Sequence, residues 1–98
     1  MSHHDLDFLQ TLETVIIDRL ENPGANSYTS SLVASGDKRI AQKVGEEAVE
    51  LALASIAGNR AEILDEAADL VFHVLVLLNS KGLRLQDVIT TLEGRHVV

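Results

Sequence analysis

The stretch KVGEEAVELALASIAGNRAEILDEAADLVFHVLVLL, residues 43–78, decides the fold. Ile40, Val44, Leu51 and Ile56 recur at helical spacing until Gly58, and Asn59-x-x-Glu62 then resembles a capping box that opens another helix. Asp37 is expected to cap the first of the two, and Lys81-Gly82 to end the second. The reading is a helical hairpin with a turn of about two residues. The apolar run from Ala67 to Leu78 is interrupted by Asp69 and His73 and falls short of the ~20 residues needed to span a bilayer, so it reads as a buried helix.

Acids are distributed unusually along this hairpin. At about 100° per residue from Glu46, Glu50 falls at about 40°, Lys43 at about 60° and Glu47 at about 100°, so these charges share one helix face. The stripe continues as Ala54 and Ala57, small residues suited to close approach by a neighbouring helix. On the second helix Glu62, Glu66, Asp69 and His73 form a stripe that continues as Val76 and Leu77. Carboxylates at the edge of a buried seam repel and desolvate unless something positive sits between them, which points to a divalent cation and to chemistry on phosphate. An all-oxygen ligand set suits Mg²⁺ or Mn²⁺, whereas zinc would normally take His or Cys. The plainer reading makes Glu46, Glu47 and Glu50 a solvated face paired with Lys43, with Glu62, Asp65 and Glu66 serving the helix dipole. Asp69 resists that reading, because it lies a turn inside the helix among Ala67, Ala68, Leu70, Val71 and Phe72. His73 can orient a carboxylate or touch a phosphate, or serve as a hydrogen-bonded core residue.

Upstream, Leu6, Leu9, Leu12, Val15, Ile16 and Leu20 mark an amphipathic helix over 5–21, and the run 22–26 containing Pro23 and Gly24 breaks it. Ser27 or Thr29 then caps a short helix ending near Gly36, and residues 86–93 form a closing helix. The fold class expected is all-α, a bundle of four to five helices.

Composition bounds the rest. Ninety-eight residues make a single domain over 1–98 with a modest core, which suits completion by a homodimer. A net charge of −7 argues against nonspecific binding to nucleic acid or to an anionic membrane. With no cysteine there is no disulfide framework or thiolate metal site, and the N-terminus lacks a signal-peptide pattern, so a soluble cytoplasmic protein is expected. His3, His4 and His96 carry no pattern.

Three segments together resemble a known family. Ser27-Tyr28-Thr29, then Lys43-Val44-Gly45-Glu46-Glu47-Ala48-x-Glu50, then Asp65-Glu66-Ala67-Ala68-Asp69-Leu70 with His73, are similar to the phosphoribosyl-ATP pyrophosphohydrolases of histidine biosynthesis, over roughly residues 6 to 95. That family lies within the all-α MazG-like nucleotide pyrophosphohydrolases, whose pattern is ExxE followed by ExxD on two helices holding Mg²⁺. The resemblance implies hydrolysis of 1-(5-phosphoribosyl)-ATP to the AMP derivative and pyrophosphate, the second step of the pathway. It places Glu47, Glu50, Glu66 and Asp69 at the metal positions, with Glu46 a further ligand or the group that activates water. Glu46 and Glu47 are thus the candidates for the catalytic base. Lys43 is expected to contact phosphate, with help from Lys38 or Arg39, and Ser27, Tyr28, Thr29 and His73 to face the substrate. Relatives carry this domain behind a zinc-dependent cyclohydrolase, for which this chain has no room. It is therefore expected to perform the pyrophosphohydrolase step alone, as a dimer or larger assembly.

Two rival readings stand beside it. One is a housekeeping enzyme of the same superfamily acting on dCTP, dUTP or noncanonical nucleotides. The other is a non-catalytic helical dimerisation or metal-binding module. A di-iron bundle fits less well, because such sites use Glu-x-x-His on paired helices.

Overall fold

A computed structural model describes residues 3–22, 24 and 27–96, the first three of them by their backbone. Its elements are α1 (His3–Glu21), α2 (Tyr28–Ala34), α3 (Asp37–Ala57), α4 (Arg60–Ser80) and α5 (Leu85–Arg95), and all regular structure among the described residues is helical. The expected break at 22–26 falls between α1 and α2, although Pro23, Ala25 and Asn26 lie outside the described residues, as do the side chains of His3 and His4.

The hairpin turn is made as its residues dictate. Gly58 takes φ of +81°, which a residue with a Cβ rarely adopts, and its N–H closes α3 on the Ala54 carbonyl. Asn59 Oδ1 then accepts from the Glu62 N–H and starts α4. α4 ends in a Schellman motif, with the Gly82 N–H on the Asn79 carbonyl and the Leu83 N–H on the Leu78 carbonyl. Ser27 caps α2, its Oγ accepting from the Ser30 N–H.

Two helix ends need correction. Asp37 is the first helical residue of α3 and not its cap; Gly36, at φ of +95°, occupies that position without a side-chain hydrogen bond, and Asp37 pairs instead with Lys81 at 2.9 Å. The closing helix begins at Leu85, earlier than expected, because its first N–H is met from outside: Glu13 Oε2 of α1 accepts from the Leu85 N–H at 2.8 Å and from Asn79 Nδ2 at 2.9 Å.

α3 packs along α4, α1 lies against α4 and α2, and α2 also touches α3. Where these meet, Ile16, Leu32, Ile40, Leu75 and Val76 form the core, with Leu9, Leu12, Leu20, Phe72, Leu77 and Leu85 packed around it. Burying each of the larger side chains stabilises by about 1.5–3 kcal/mol. Cover does not extend along the whole hairpin. Val49, Leu53 and Ile56 of α3 are exposed, as are Leu64, Ala68 and Val71 of α4. The run from Ala67 to Leu78, read as a buried helix, is therefore enclosed only in its second half; along the first, Phe8, Leu9 and Leu12 of α1 border an open hollow with Leu64, Ala67, Ala68, Val71 and Phe72. Ala54 is enclosed in the seam as expected, whereas Ala57 is open.

Candidate metal centre

The carboxylates stand where this cover runs out. Glu66 and Asp69 are one turn apart on α4, which places them on the same face, and the antiparallel hairpin brings Glu47 of α3 opposite. One oxygen from each of Glu47, Glu66 and Asp69 lies within 4.8 Å of the others. Glu47 is buried, Glu66 half-buried and Asp69 exposed, so the group is a rim open on one side. Asp69 is therefore not enclosed by its apolar neighbours in sequence; they share the uncovered half of the hairpin.

Glu47 Oε2 and Glu66 Oε2 are sealed from solvent without a hydrogen-bond partner. An ionised carboxylate only accepts, so two sealed acceptors facing across a seam call for a donor or a cation. Three carboxylate oxygens at this separation fit a hard divalent ion that completes its shell with water or phosphate oxygen. Glu50 is exposed at the edge of the same group. Its hydrogen bond to Glu66, then burial, then the charges of Glu50, Glu47 and Asp69 push the Glu66 carboxyl up to about 7. Glu47 behaves oppositely. Burial alone would raise it, but the hydrogen bond and charge of Lys43, with smaller contributions from Glu50 and His73, hold it below the ordinary value.

Lys43 Nζ sits 3.2 Å from Glu47 Oε1 and 3.7 Å from Glu46 Oε2. The hydrogen bond to Glu47 raises the lysine pKa against the opposing effect of burial, and the charges of ionised Tyr28, Glu47 and Glu46 add to the rise. Glu46 is held on the flank by Lys43 and by Arg39, whose Nη1 is 3.6 Å from Glu46 Oε1. Of the two candidate bases, Glu47 faces the carboxylate group and Glu46 faces these cations. Lys38 lines a different hollow, with Asp37, Ile40, Leu77 and Lys81.

Ser27, Tyr28 and Thr29 separate in role. Ser27 is occupied as a cap and by a 3.0 Å bond from its Oγ to Ser30 Oγ, and Thr29 is buried. Tyr28 is half-exposed and its hydroxyl is 2.8 Å from His73 Nε2. His73 is buried, with Nδ1 2.7 Å from the backbone carbonyl of Asp69, and it stacks edge-on against both Tyr28 and Phe72. This chain from Tyr28 to the turn bearing Asp69 starts with a contact spanning 45 residues. No local sequence signal announces it; only the two residue types, each flagged separately, could have hinted at it. His96 closes α5, its N–H on the Leu92 carbonyl. Beyond the carboxylates the seam opens into a cavity of about 290 Å³ lined by Glu50, Leu53, Ala54, Ala57, Glu62 and Glu66.

Comparison with known proteins agrees with this geometry. Residues 9–96 match the family model described as phosphoribosyl-ATP pyrophosphohydrolase. The phosphoribosyl-ATP pyrophosphatase of Pyrobaculum islandicum is 52% identical, over 91% of this chain and 95% of its own length. The histidine biosynthesis bifunctional protein HisIE of Vibrio cholerae is likewise 52% identical over 91% of this chain, but only 42% of its own length is covered. The HisIE protein of Escherichia coli is 50% identical, over 95% of this chain and 46% of its own. The chain thus spans a little under half of these bifunctional relatives and nearly all of the Pyrobaculum islandicum one. With the three carboxylates gathered at one rim and the match running through both helices that carry them, this chain belongs to the phosphoribosyl-ATP pyrophosphohydrolase family.

Proposed function

We propose that the chain hydrolyses 1-(5-phosphoribosyl)-ATP to 1-(5-phosphoribosyl)-AMP and pyrophosphate, as a step of histidine biosynthesis in the cytoplasm. The observation that carries this reading is the set of carboxylate oxygens of Glu47, Glu66 and Asp69 within 4.8 Å, in a chain of this family. These residues, joined by Glu50, would hold Mg²⁺ or Mn²⁺. Held there, the ion would supply positive charge to offset the negative charge that develops on phosphate during displacement. The protein's own part begins with charge: a chain of net −7 repels a polyphosphate, and Lys43 is the cation nearest the rim that can draw one in. Glu46, paired with Lys43 and Arg39, flanks it. Water forms a bond to phosphorus as the α–β anhydride bond breaks, and its proton passes to a carboxylate. Glu47, facing the group, is better placed to take it than Glu46. The half-exposed Tyr28 and the cavity along Glu50, Glu62 and Glu66 border the space left for the rest of the substrate.

The reading includes a homodimer. The accessible surface of 6941 Å² exceeds the roughly 5,500 Å² of a typical monomer of this mass by more than the ~800 Å² that one partner gives to a standard interface. The radius of gyration of 14.7 Å likewise exceeds the roughly 12.6 Å of a compact domain of this length. Val49, Leu53 and Ile56, together with Leu64 and Val71, supply an apolar face for a second copy.

The test is an assay that separates pyrophosphate from phosphate release with Mg²⁺ present, comparing phosphoribosyl-ATP with ATP, dCTP and dUTP at equal concentration. Preference for phosphoribosyl-ATP with pyrophosphate as product is the expected result. Preference for a deoxynucleotide would move the chain to a housekeeping role, and absence of turnover on all four would make it a binding module.

A further inference from the structure

The charges of α3 are sorted along its axis. Taking Lys43 as zero and about 100° per residue, Arg39 lies at about −40°, Glu50 at about −20°, Glu47 at about 40° and Glu46 at about −60°, so all five share one stripe. Lys38, at about −140°, lies off it and lines the hollow shared with Lys81. On the stripe the cations come first, toward the start of the helix, and the acids follow. Arg39 and Glu46 are separated by about 10 Å along the axis. Even so, Arg39 Nη1 is 3.6 Å from Glu46 Oε1. A glutamate is too short to cover that separation alone, so the arginine side chain runs along the helix toward the carboxylate rim. Contacts continue from there, with Glu46 Oε2 3.7 Å from Lys43 Nζ and Lys43 Nζ 3.2 Å from Glu47 Oε1. At 3.6 Å the Arg39–Glu46 contact is an attraction of charges and not a hydrogen bond, so the exposed guanidinium keeps its fork of N–H donors for an outside acceptor.

We propose that Arg39 binds the terminal phosphate of the substrate, so that the polyphosphate lies along α3 with the part that leaves as pyrophosphate directed toward the start of the helix. The proposal deepens the pyrophosphohydrolase reading and rests on it. Hydrolysis that releases pyrophosphate puts the α-phosphorus at the rim and leaves the β- and γ-phosphates to extend to one side. On one side stand Glu50, Glu62 and Glu66, around a cavity also lined by Leu53, Ala54 and Ala57. Phosphates laid there would meet like charge and apolar surface. On the other side stand Lys43, next to the rim, and Arg39, one turn further on. The two cations thus divide the work: Lys43 meets the phosphates close to the carboxylates, and Arg39 meets the one farthest from them. A terminal phosphate presents several free oxygens to one side, and an arginine fork takes two of them at once where a lysine acts as a point charge.

The test compares phosphoribosyl-ATP with phosphoribosyl-ADP, which lacks the terminal phosphate. Arg39→Met keeps an apolar stem and removes the fork, and Arg39→Lys keeps the charge alone. Lys38→Met removes the same charge from the neighbouring residue, off the stripe, and so controls for net charge. The native protein should prefer phosphoribosyl-ATP. The ratio of kcat/KM for the two substrates should fall roughly tenfold in Arg39→Met, through KM, fall by less in Arg39→Lys, and stay within about twofold in Lys38→Met. Arg39 is exposed, so circular dichroism should show the native helicity in each variant. A second arm needs no turnover: pyrophosphate with Mg²⁺ is titrated into each protein by calorimetry. Its Kd should rise roughly tenfold in Arg39→Met and stay within about twofold in Lys38→Met, while Mn²⁺ binding without phosphate stays within about twofold in all of them. If phosphoribosyl-ATP is not turned over and the calorimetric pattern holds, the pyrophosphohydrolase reading fails and the assignment of Arg39 to a terminal phosphate stands. An unchanged substrate ratio in active Arg39→Met, an unchanged or undetectable pyrophosphate affinity, or equal losses in Lys38→Met would each overturn the proposal.

Discussion

The two halves of the α3–α4 hairpin are built from similar residues and meet different surroundings. In the half next to the α2–α3 connection and the α4 C-terminus, Ile40, Leu75 and Val76 are enclosed by Ile16 of α1 and Leu32 of α2. In the half next to the Gly58 turn, Val49, Leu53, Ile56, Leu64 and Val71 have no such cover. The carboxylates of Glu47, Glu66 and Asp69 lie at the junction. Stability and chemistry are thus separated along one pair of helices: one end holds the monomer together, the other offers an apolar face, and the charged site occupies the boundary. There a carboxylate can be desolvated on its inner side and reached by substrate on its outer side.

Substitution at the enclosed end should have the largest effect on folding. Leu75→Ala removes a side chain that is 1% exposed and should lower unfolding free energy by about 2–5 kcal/mol, measured by urea denaturation. The same truncation at Ile56, which is 82% exposed, should change the stability of the isolated chain by less than about 0.5 kcal/mol. Equal losses at both positions would erase the distinction between the halves.

At the uncovered end the expected effect is on association. Leu53→Glu places a charge on the exposed apolar stripe and should shift the protein from dimer to monomer in analytical ultracentrifugation, leaving its helical circular dichroism intact. A dimer that survives this change would mean that the face is covered by something other than a second copy.

These contrasts also show what could be read in the sequence. The hairpin was legible because its signals are local: Gly58 at a left-handed position and Asn59 as cap lie next to each other. The carboxylate group was legible because helical periodicity aligns Glu66 with Asp69 and a short turn fixes the register of Glu47 against them. What depends on distant residues was not. The start of α5 is set by Glu13 of α1, and Tyr28 is tied to His73 from a different helix. Asp69 is expected amid apolar cover because its neighbours in sequence are apolar, yet cover is a property of the helices around α4, and none of them encloses the face that bears Asp69. At the start of α3, Asp37 is by type a good capping residue, but the glycine before it, at positive φ, takes the position.

At the boundary the effect is on pH dependence. Glu66, raised to about 7 from an ordinary value near 4.5, stabilises the metal-free fold below the unfolded value, and that contribution is lost as pH rises through about 7. Metal-free protein should accordingly melt at a lower temperature at pH 8 than at pH 5.5 on account of this group. The gain in melting temperature on adding Mg²⁺ should be greater at pH 8, where Glu66 is ionised and free to bind. Glu66→Gln should flatten both trends in a thermal melt; unchanged slopes would place the titration elsewhere.

The smallest effect belongs to the exposed Asp37–Lys81 pair, which joins the start of α3 to the end of α4. Lys81→Met should change stability by less than about 1 kcal/mol in urea denaturation, and by less at high salt. A larger loss would mean that this end of the hairpin depends on charge as well as on its apolar core.

The most direct measurement is a titration of Mn²⁺ into the native protein and into Asp69→Asn, with free Mn²⁺ followed by electron paramagnetic resonance. Asp69 is exposed, so its replacement should leave the fold unchanged while removing one of three gathered carboxylates. The predicted result is saturable binding by the native protein and an affinity lower by roughly two orders of magnitude in the variant, at unchanged helicity. Equal affinity in both proteins would contradict the assignment of Glu47, Glu66 and Asp69 as the metal centre.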